Sequence, residues 1–191
     1  MKPQLVISCH ADTGFRSHRL RRTHDGDVCG HLDNYAGVFA VMLAYFSGRV
    51  DCDGVRIELT HGEEANMAGA RRVLRTLSPE DTVVVVDVTG VRTSADITVE
   101  KCNDPGMQAF VRRSLRGLSY ELFDRCPDPI SNQDECDVYK KRLKKVAFLG
   151  IPCRGGDYNA GPVRARRQSL KAASRAIARM VKCFSGGTRQ Q

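Results

Sequence analysis

The sequence predicts an α/β fold of three layers, in which helices cover both faces of a largely parallel, mixed β-sheet. Strand-like apolar runs alternate with helical patterns along the chain, and this alternation is typical of parallel sheets with crossover helices. Four consecutive valines at 83–86 indicate a strand that is covered on both faces. At 191 residues the chain suits one domain, which we place at residues 1–185, followed by a short disordered tail at 186–191.

Four apolar segments predict the core strands. One of them, VRIELT, alternates apolar and polar residues, which is typical of a strand with one buried face. The others are nearly continuous apolar runs and indicate deeper burial. The core strands are predicted at residues 5–8, 55–60, 83–88 and 146–151, and shorter strands at 96–100 and 119–123.

Helical patterns lie between and after these strands. The predicted helices cover residues 34–47, 65–77, 106–117, 132–145 and 163–184. The last helix is amphipathic, because apolar residues recur from Leu170 to Phe184 while basic residues recur on another face. This cationic face is either solvated or able to contact nucleic-acid phosphates. Its basic residues are Lys171, Arg175, Arg179 and Lys182.

Composition excludes several classes of protein. A hydrophobic fraction of 41% fits a soluble globular chain. The apolar run before His10 is too short for a signal peptide, and no later run is long enough to cross a bilayer, so we expect a cytoplasmic protein without a membrane partner. Eight cysteines without a CxxC pair predict free thiols rather than disulfides or a zinc knuckle.

The net charge of +8 is concentrated near the C-terminus. From Tyr158 onward there are eight Lys and Arg residues and no acid, so the preceding part of the chain is neutral. A second basic segment, residues 14–31, is predicted as a loop beside the functional crevice. Its arginines are either solvated or placed to recognise a carboxylate-bearing substrate. These are Arg16, Arg19, Arg21 and Arg22.

Candidate functional residues fall near the carboxyl ends of the predicted strands or at helix starts. In open α/β sheets this edge forms the ligand-binding crevice, so residues far apart in sequence can meet there. One histidine with several carboxylates is ligand chemistry for Zn, Mn or Co. The candidates are His10, Asp12, Asp33, Glu63, Glu64 and Asp87.

Each candidate also has a simpler interpretation. His10 alone could be a core histidine, and Asp33 an ordinary helix N-cap. Glu63 and Glu64 could favour the positive end of a helix dipole. Asp87 is harder to explain in this way, because a carboxylate that closes a valine-rich strand is costly unless it is paired or binds a metal. Taken together, the candidates favour a metal centre.

Four motifs in order, HAD, LDNYAG, GEEANMAGA and VVVVDVTG, resemble the co-catalytic zinc aminopeptidase, carboxypeptidase and acylase superfamily (peptidase clan MH, phosphorylase/hydrolase-like fold). Residues 5–90 are closely similar, and FLGIPCRGGDY resembles the closing strand and loop of the family. The resemblance implies a zinc-peptidase-like catalytic domain. We expect this domain to lack the insertion that many relatives use as a lid or for dimerisation.

The resemblance also implies roles for individual residues. His10 and Asp87 would bind the first metal, with Asp12 supporting His10, and Asp33 would bridge both metals. Glu64 would bind the second metal, and Glu63 would be the general base that accepts a proton from water. The adjacent glutamates then have separate tasks, and the metal charge relieves their repulsion.

One expected ligand is missing. The family usually supplies a final histidine shortly after the segment that reads IPCRGGDYNAGP here, whereas all five histidines of this chain lie within the first 61 residues. Asp157 could substitute, loop histidines could approach, or the second site could be empty. The loop histidines are His18, His24 and His31, and His61 either approaches the metals or packs at a strand end.

The leading hypothesis is therefore a metal-dependent hydrolase of peptide or amide bonds, of the aminopeptidase or N-acyl amino acid deacylase type. It would use one or two zinc ions, with Mn or Co as alternatives, and a small peptide or N-acyl amino acid as substrate. The alternatives are a catalytically impaired relative with a binding role, and a basic protein that associates with nucleic acid.

Overall fold

The computed structural model describes residues 2–17, 19–50, 52–128, 130 and 133–188. The elements of this part of the chain are, in order, β1 (Leu5–His10), β2 (Leu20–Arg22), β3 (Val28–Gly30), α1 (Tyr35–Phe46), β4 (Val55–Thr60), α2 (Ala68–Thr76), β5 (Thr82–Thr89), β6 (Ile97–Glu100), α3 (Pro105–Ser114), β7 (Tyr120–Leu122), α4 (Glu135–Tyr139), β8 (Val146–Arg154), β9 (Val163–Ala165) and α5 (Arg167–Thr188).

All strands of the described residues join one nine-stranded sheet. The main path runs β2-β3-β9-β8-β5-β1-β4, and β6 pairs with β8 and with β7. The central strands β4, β1, β5 and β8 are parallel neighbours, whereas β2, β3 and β9 pair with antiparallel partners. The predicted α/β fold with a largely parallel, mixed sheet is therefore confirmed.

Helices cover both faces of the sheet. Val84 and Val86 of β5 join a core with α1, α3 and α5, while Val83 and Val85 join a second core with α2 and α4. All four valines are buried, because successive residues of a strand point to opposite faces. The valine run thus fills both interfaces of a three-layer structure.

The predicted core strands and both shorter strands are confirmed, and three helix predictions are confirmed within a few residues at each end. The prediction for residues 132–145 is wrong over most of its length. The Asp134 side chain accepts a hydrogen bond from the Cys136 N–H, and Asp137 accepts one from the Asp134 N–H. This capping box begins α4 at Glu135. Residues 131 and 132 lie outside the described residues.

Three further predictions need correction. The helix predicted at 163–184 begins only at Arg167, because residues 163–165 form β9. The helix then continues to Thr188, so residues 186–188 of the predicted disordered tail are helical, and residues 189–191 lie outside the described residues. The segment predicted as a basic loop contains β2 and β3, which pair with each other.

The structure also describes the state of the cysteines and the apolar character of the helices. All eight cysteines are free thiols, and Cys9, Cys102, Cys136 and Cys153 are buried, as predicted. Within the described residues, no helix combines the length and apolar character needed to span a bilayer.

Gly69 permits a close approach between α2 and the end of β4. A Cβ atom at this position would lie 2.5 Å from the His61 backbone nitrogen and 2.7 Å from its carbonyl oxygen. We expect Gly69→Ala to lower the free energy of unfolding by about 1–3 kcal/mol, because backbone must move to relieve the overlap. Chemical denaturation measures this change. Gly161→Ala is the control, since no atom lies within 4 Å of its Cβ position, and equal stability of the two variants would contradict the argument.

Candidate metal centre

The carboxyl edge of the parallel strands brings the candidate residues together. His10 ends β1, Asp87 lies near the end of β5, and Glu63 follows β4. Asp33 precedes α1, whose position is fixed by Asn34. The Asn34 amide donates to the Val86 carbonyl at 2.9 Å and accepts a hydrogen bond from the Gly37 N–H at 2.9 Å. The start of α1 is thus anchored to β5.

His10 lies at the centre of this cluster and is 1% exposed. Its Nε2 atom is 3.1 Å from Asp33 Oδ1 and 3.1 Å from Asp87 Oδ2. Its Nδ1 atom is 3.1 Å from the Asp12 carbonyl oxygen, whereas the Asp12 carboxylate is farther away, at 3.7 Å. Support from Asp12 therefore comes mainly through its backbone, and this contact fixes the plane of the imidazole.

One ring nitrogen faces two carboxylates but carries at most one proton. Its hydrogen bond goes to Asp87, and Asp33 Oδ1 is buried without a hydrogen-bond donor. Burial lowers the pKa of His10, but the charges of Asp87 and Asp33 outweigh that effect and raise the pKa to about 12. Burial and the nearby Asp33 charge raise the pKa of Asp87. Two carboxylates thus crowd one imidazole and hold its proton, and a metal cation would displace that proton.

Two groups of side chains have ligand atoms within 4.8 Å of one another. The first is His10, Asp33 and Asp87, all buried, and the second is His10, Glu63 and Glu64. The donor set of one imidazole and several carboxylates fits Zn²⁺ or Mn²⁺. The orphaned Asp33 oxygen supports this fit, because a cation between it and His10 would satisfy it.

The two glutamates occupy different surroundings. Glu63 is partly buried, and its backbone N–H lies 3.4 Å from Asp12 Oδ1. Burial raises the pKa of Glu63 to about 7, with Asp33 and Glu64 adding to the rise and His10 opposing it. Glu64 is more exposed and lies against Gly14, where a Cβ atom would be 3.1 Å from its Oε2. The pKa of Glu64 is also raised by burial and by Asp33.

A cavity of about 380 Å³ opens onto the cluster. Asp33, Glu63 and Asp87 line one part of it, and Asp157, Tyr158 and Asn159 line another. Asp157, predicted as a substitute ligand, therefore shares the cavity with the metal-binding candidates. Aligned on Tyr158 and Pro162, the resemblance implies that the missing histidine would fall near Asn159 or Ala160, and Asn159 lines this cavity.

The other described histidines do not join the cluster. Among the described residues, His10 is the one histidine in either ligand group. His31 stacks on Phe15 with ring centroids 4.2 Å apart, and His24 and His61 are exposed. His18 lies outside the described residues. The structure thus provides no described histidine in place of the missing ligand.

Two buried carboxylates near the cluster were missed by sequence reasoning. Glu135 of α4 accepts hydrogen bonds from Ser8 at 2.7 Å and from Thr60, which joins the helix to β1 and β4. Asp128 accepts one from the Tyr158 hydroxyl at 2.9 Å and one from the Gly90 N–H at 2.7 Å. Neither follows a predicted strand, so the strand-end rule did not identify them.

This α/β protein, with its nine-stranded sheet, is similar in fold to several solved aminopeptidases. A TET aminopeptidase from the marine sediment archaeon Thaumarchaeota archaeon SCGC AB-539-E09 has a TM-score of 0.73 at 13% identity, over 91% of this chain and 54% of that chain. Yeast aminopeptidase 1 (Ape1) has a TM-score of 0.66 at 12% identity, over 92% of this chain and 50% of that chain.

The alignment with the dodecameric PhTET1-12s covers a larger share of the compared chain than the two alignments above. Its TM-score is 0.69 at 12% identity, over 94% of this chain and 83% of that chain. The chain spans about half the length of the Thaumarchaeota TET aminopeptidase and of yeast Ape1. No protein-family model and no curated protein sequence match this chain. The predicted resemblance is confirmed for the fold, which is the property shared at such low identity.

Proposed function

We propose that this protein is a metal-dependent hydrolase of peptide or amide bonds, acting on small peptides or N-acyl amino acids. The observation that carries the proposal is the buried group of His10, Asp33 and Asp87 beneath a cavity that Asp33, Asp87 and Glu63 line. The resemblance to metallo-aminopeptidases in fold supports it. Zinc is the proposed ion, with Mn or Co as alternatives.

The residues divide the chemical tasks between them. His10, Asp33 and Asp87 hold the primary ion, and the Asp12 carbonyl orients the imidazole. When bound, the ion polarises the scissile carbonyl and lowers the pKa of water. Glu63 accepts the proton of the attacking water and returns it to the leaving amine. Its partly buried position and raised pKa suit a group that both accepts and donates a proton.

A second, weaker ion would be held by Asp33 and Glu64, the roles that the resemblance implies, with Asp157 of the same cavity as a further ligand. Glu64 lies on one side of the centre, and Asp157 is the acid that the late segment contributes to the cavity. We expect Asp157→Ala to lower zinc content from two ions per chain to one, because a carboxylate ligand is lost while the buried group is intact. Elemental mass spectrometry after dialysis measures this change. Glu80→Ala, which removes an exposed acid, is the control, and two ions in Asp157→Ala would refute this role.

The proposal is tested by assaying the zinc-loaded protein with aminoacyl and N-acyl amino acid substrates. Hydrolysis that requires zinc and disappears after chelation supports a metallohydrolase. The class that is cleaved distinguishes an aminopeptidase from a deacylase.

A second candidate is a catalytically inactive relative that binds a ligand through a partial metal site. The observation that favours it is the lack of a described late histidine beside the cluster. Full zinc loading without hydrolysis of either substrate class would support this candidate.

A further inference from the structure

A second cavity, of about 900 Å³, lies at the opposite edge of the sheet from the metal centre. Cys52 and Gly117, which precede β4 and β7, line it. The C-terminal half of α5 forms its other side, and a Cβ atom at Gly54 would lie 3.8 Å from the Phe184 ring. His10 and Thr60 end their strands at the other edge. We call this second cavity the basic cleft.

Four cations line the basic cleft, and no acidic residue is among its described lining. These cations are Arg49, Arg175, Arg179 and Lys182. Arg179 donates a hydrogen bond to the Arg116 carbonyl at 2.7 Å. Within the described part of the chain, the other three have neither a hydrogen-bond acceptor nor an ion-pair partner. Their charges are therefore available to an anion.

The fold holds these cations close to one another. Arg175, Arg179 and Lys182 lie four and three residues apart on α5, so they share one helix face. The opposite face is anchored by the buried Ile177 and Met180. Arg49 approaches from the end of α1, which packs against α5. Like charges held together in this way repel unless an anion lies between them.

The chemistry of the cleft selects phosphate groups rather than bases. Arg and Lys side chains bind phosphate oxygens through charge-assisted hydrogen bonds. Among the described residues, the cleft lining contains no aromatic side chain on which a base could stack. Its volume suits a compact ligand, since small-molecule sites measure about 300–1,000 Å³. We propose that the basic cleft binds a small anion with two or more linked phosphate groups, independently of the metal centre.

The test is calorimetric titration of the full chain with inorganic tripolyphosphate. We expect binding that weakens as salt concentration rises. Arg175→Gln/Lys182→Gln should weaken binding by about tenfold or more, because two charge-assisted contacts are lost. These changes leave the Arg179 hydrogen bond in place. Arg49→Gln tests the same cleft from a different element and should also weaken binding.

Two controls separate the cleft from other sources of binding. Arg72→Gln/Arg75→Gln removes the same charge at exposed positions of α2, outside the cleft, and should change affinity by less than about twofold. Because tripolyphosphate also chelates metals, the titration is repeated with Asp33→Ala, in which binding should persist. The result is thereby independent of the proposed hydrolase activity.

Three outcomes would overturn the inference. The first is no binding of tripolyphosphate by the folded wild type. The second is equal weakening in the cleft and control variants, which would indicate net charge alone. The third is tighter binding of a short single-stranded RNA than of tripolyphosphate, which would assign the surface to nucleic acid.

Discussion

Replacing Asp33 with alanine is expected to abolish stable zinc binding. Asp33 supplies one of three donors in the buried group, and its Oδ1 atom lacks a hydrogen-bond donor. Its loss leaves His10 and Asp87, which are too few ligands for a stable zinc site. We expect zinc affinity to fall by about a hundredfold or more. The measurement is zinc per chain by elemental mass spectrometry, after stripping, reconstitution and dialysis.

Thermal unfolding supplies a second measurement of the same effect. Zinc should raise the melting temperature of the wild type, because a ligand that binds only the folded state stabilises it. It should leave the melting temperature of Asp33→Ala unchanged. Asp53→Ala, which removes an exposed carboxylate, should bind zinc like the wild type. Full zinc loading of Asp33→Ala would remove this residue from the proposed centre.

The sequence was most informative where burial controls the pattern. The valines at 83–86 are buried by helices on both faces, and such burial requires apolar residues at every position. His10 and Asp87 lie near the carboxyl ends of neighbouring parallel strands, and His10 Nε2 is 3.1 Å from Asp87 Oδ2. Strand direction and order together determine this meeting, so residues far apart in sequence could be predicted to converge.

Long-range pairing explains what the sequence did not reveal. All three residues of β2 are exposed, so no apolar period marks the strand. The strand β2 forms against β3. In turn, β3 is held by its pairing with β9 and by an ion pair between Arg164 of β9 and Asp27, whose charged atoms are 2.9 Å apart. Glu135 was missed for a related reason, since its burial depends on Ser8 and Thr60 from distant strands. The local sequence pattern around a residue does not show which distant residues it will contact.

Replacing Glu63 with glutamine is expected to retain zinc but abolish most hydrolysis. Glu63 lies on the cavity beside Asp33 and Asp87 but is not part of the buried ligand group. Glutamine preserves its size and cannot accept a proton at neutral pH. We expect kcat/KM to fall by about a thousandfold, within the range for loss of a general base. Activity against the best wild-type substrate and zinc per chain are measured on the same samples.

The paired measurements separate catalysis from metal binding. If Glu63 were mainly a ligand, zinc content and activity would fall together, whereas a general base affects activity alone. Glu80→Gln makes the same chemical change at an exposed side chain and should behave like the wild type. A Glu63→Gln variant with full activity would require another proton acceptor at the cavity, and Glu64 would then be the next residue to replace, because it belongs to the same ligand group.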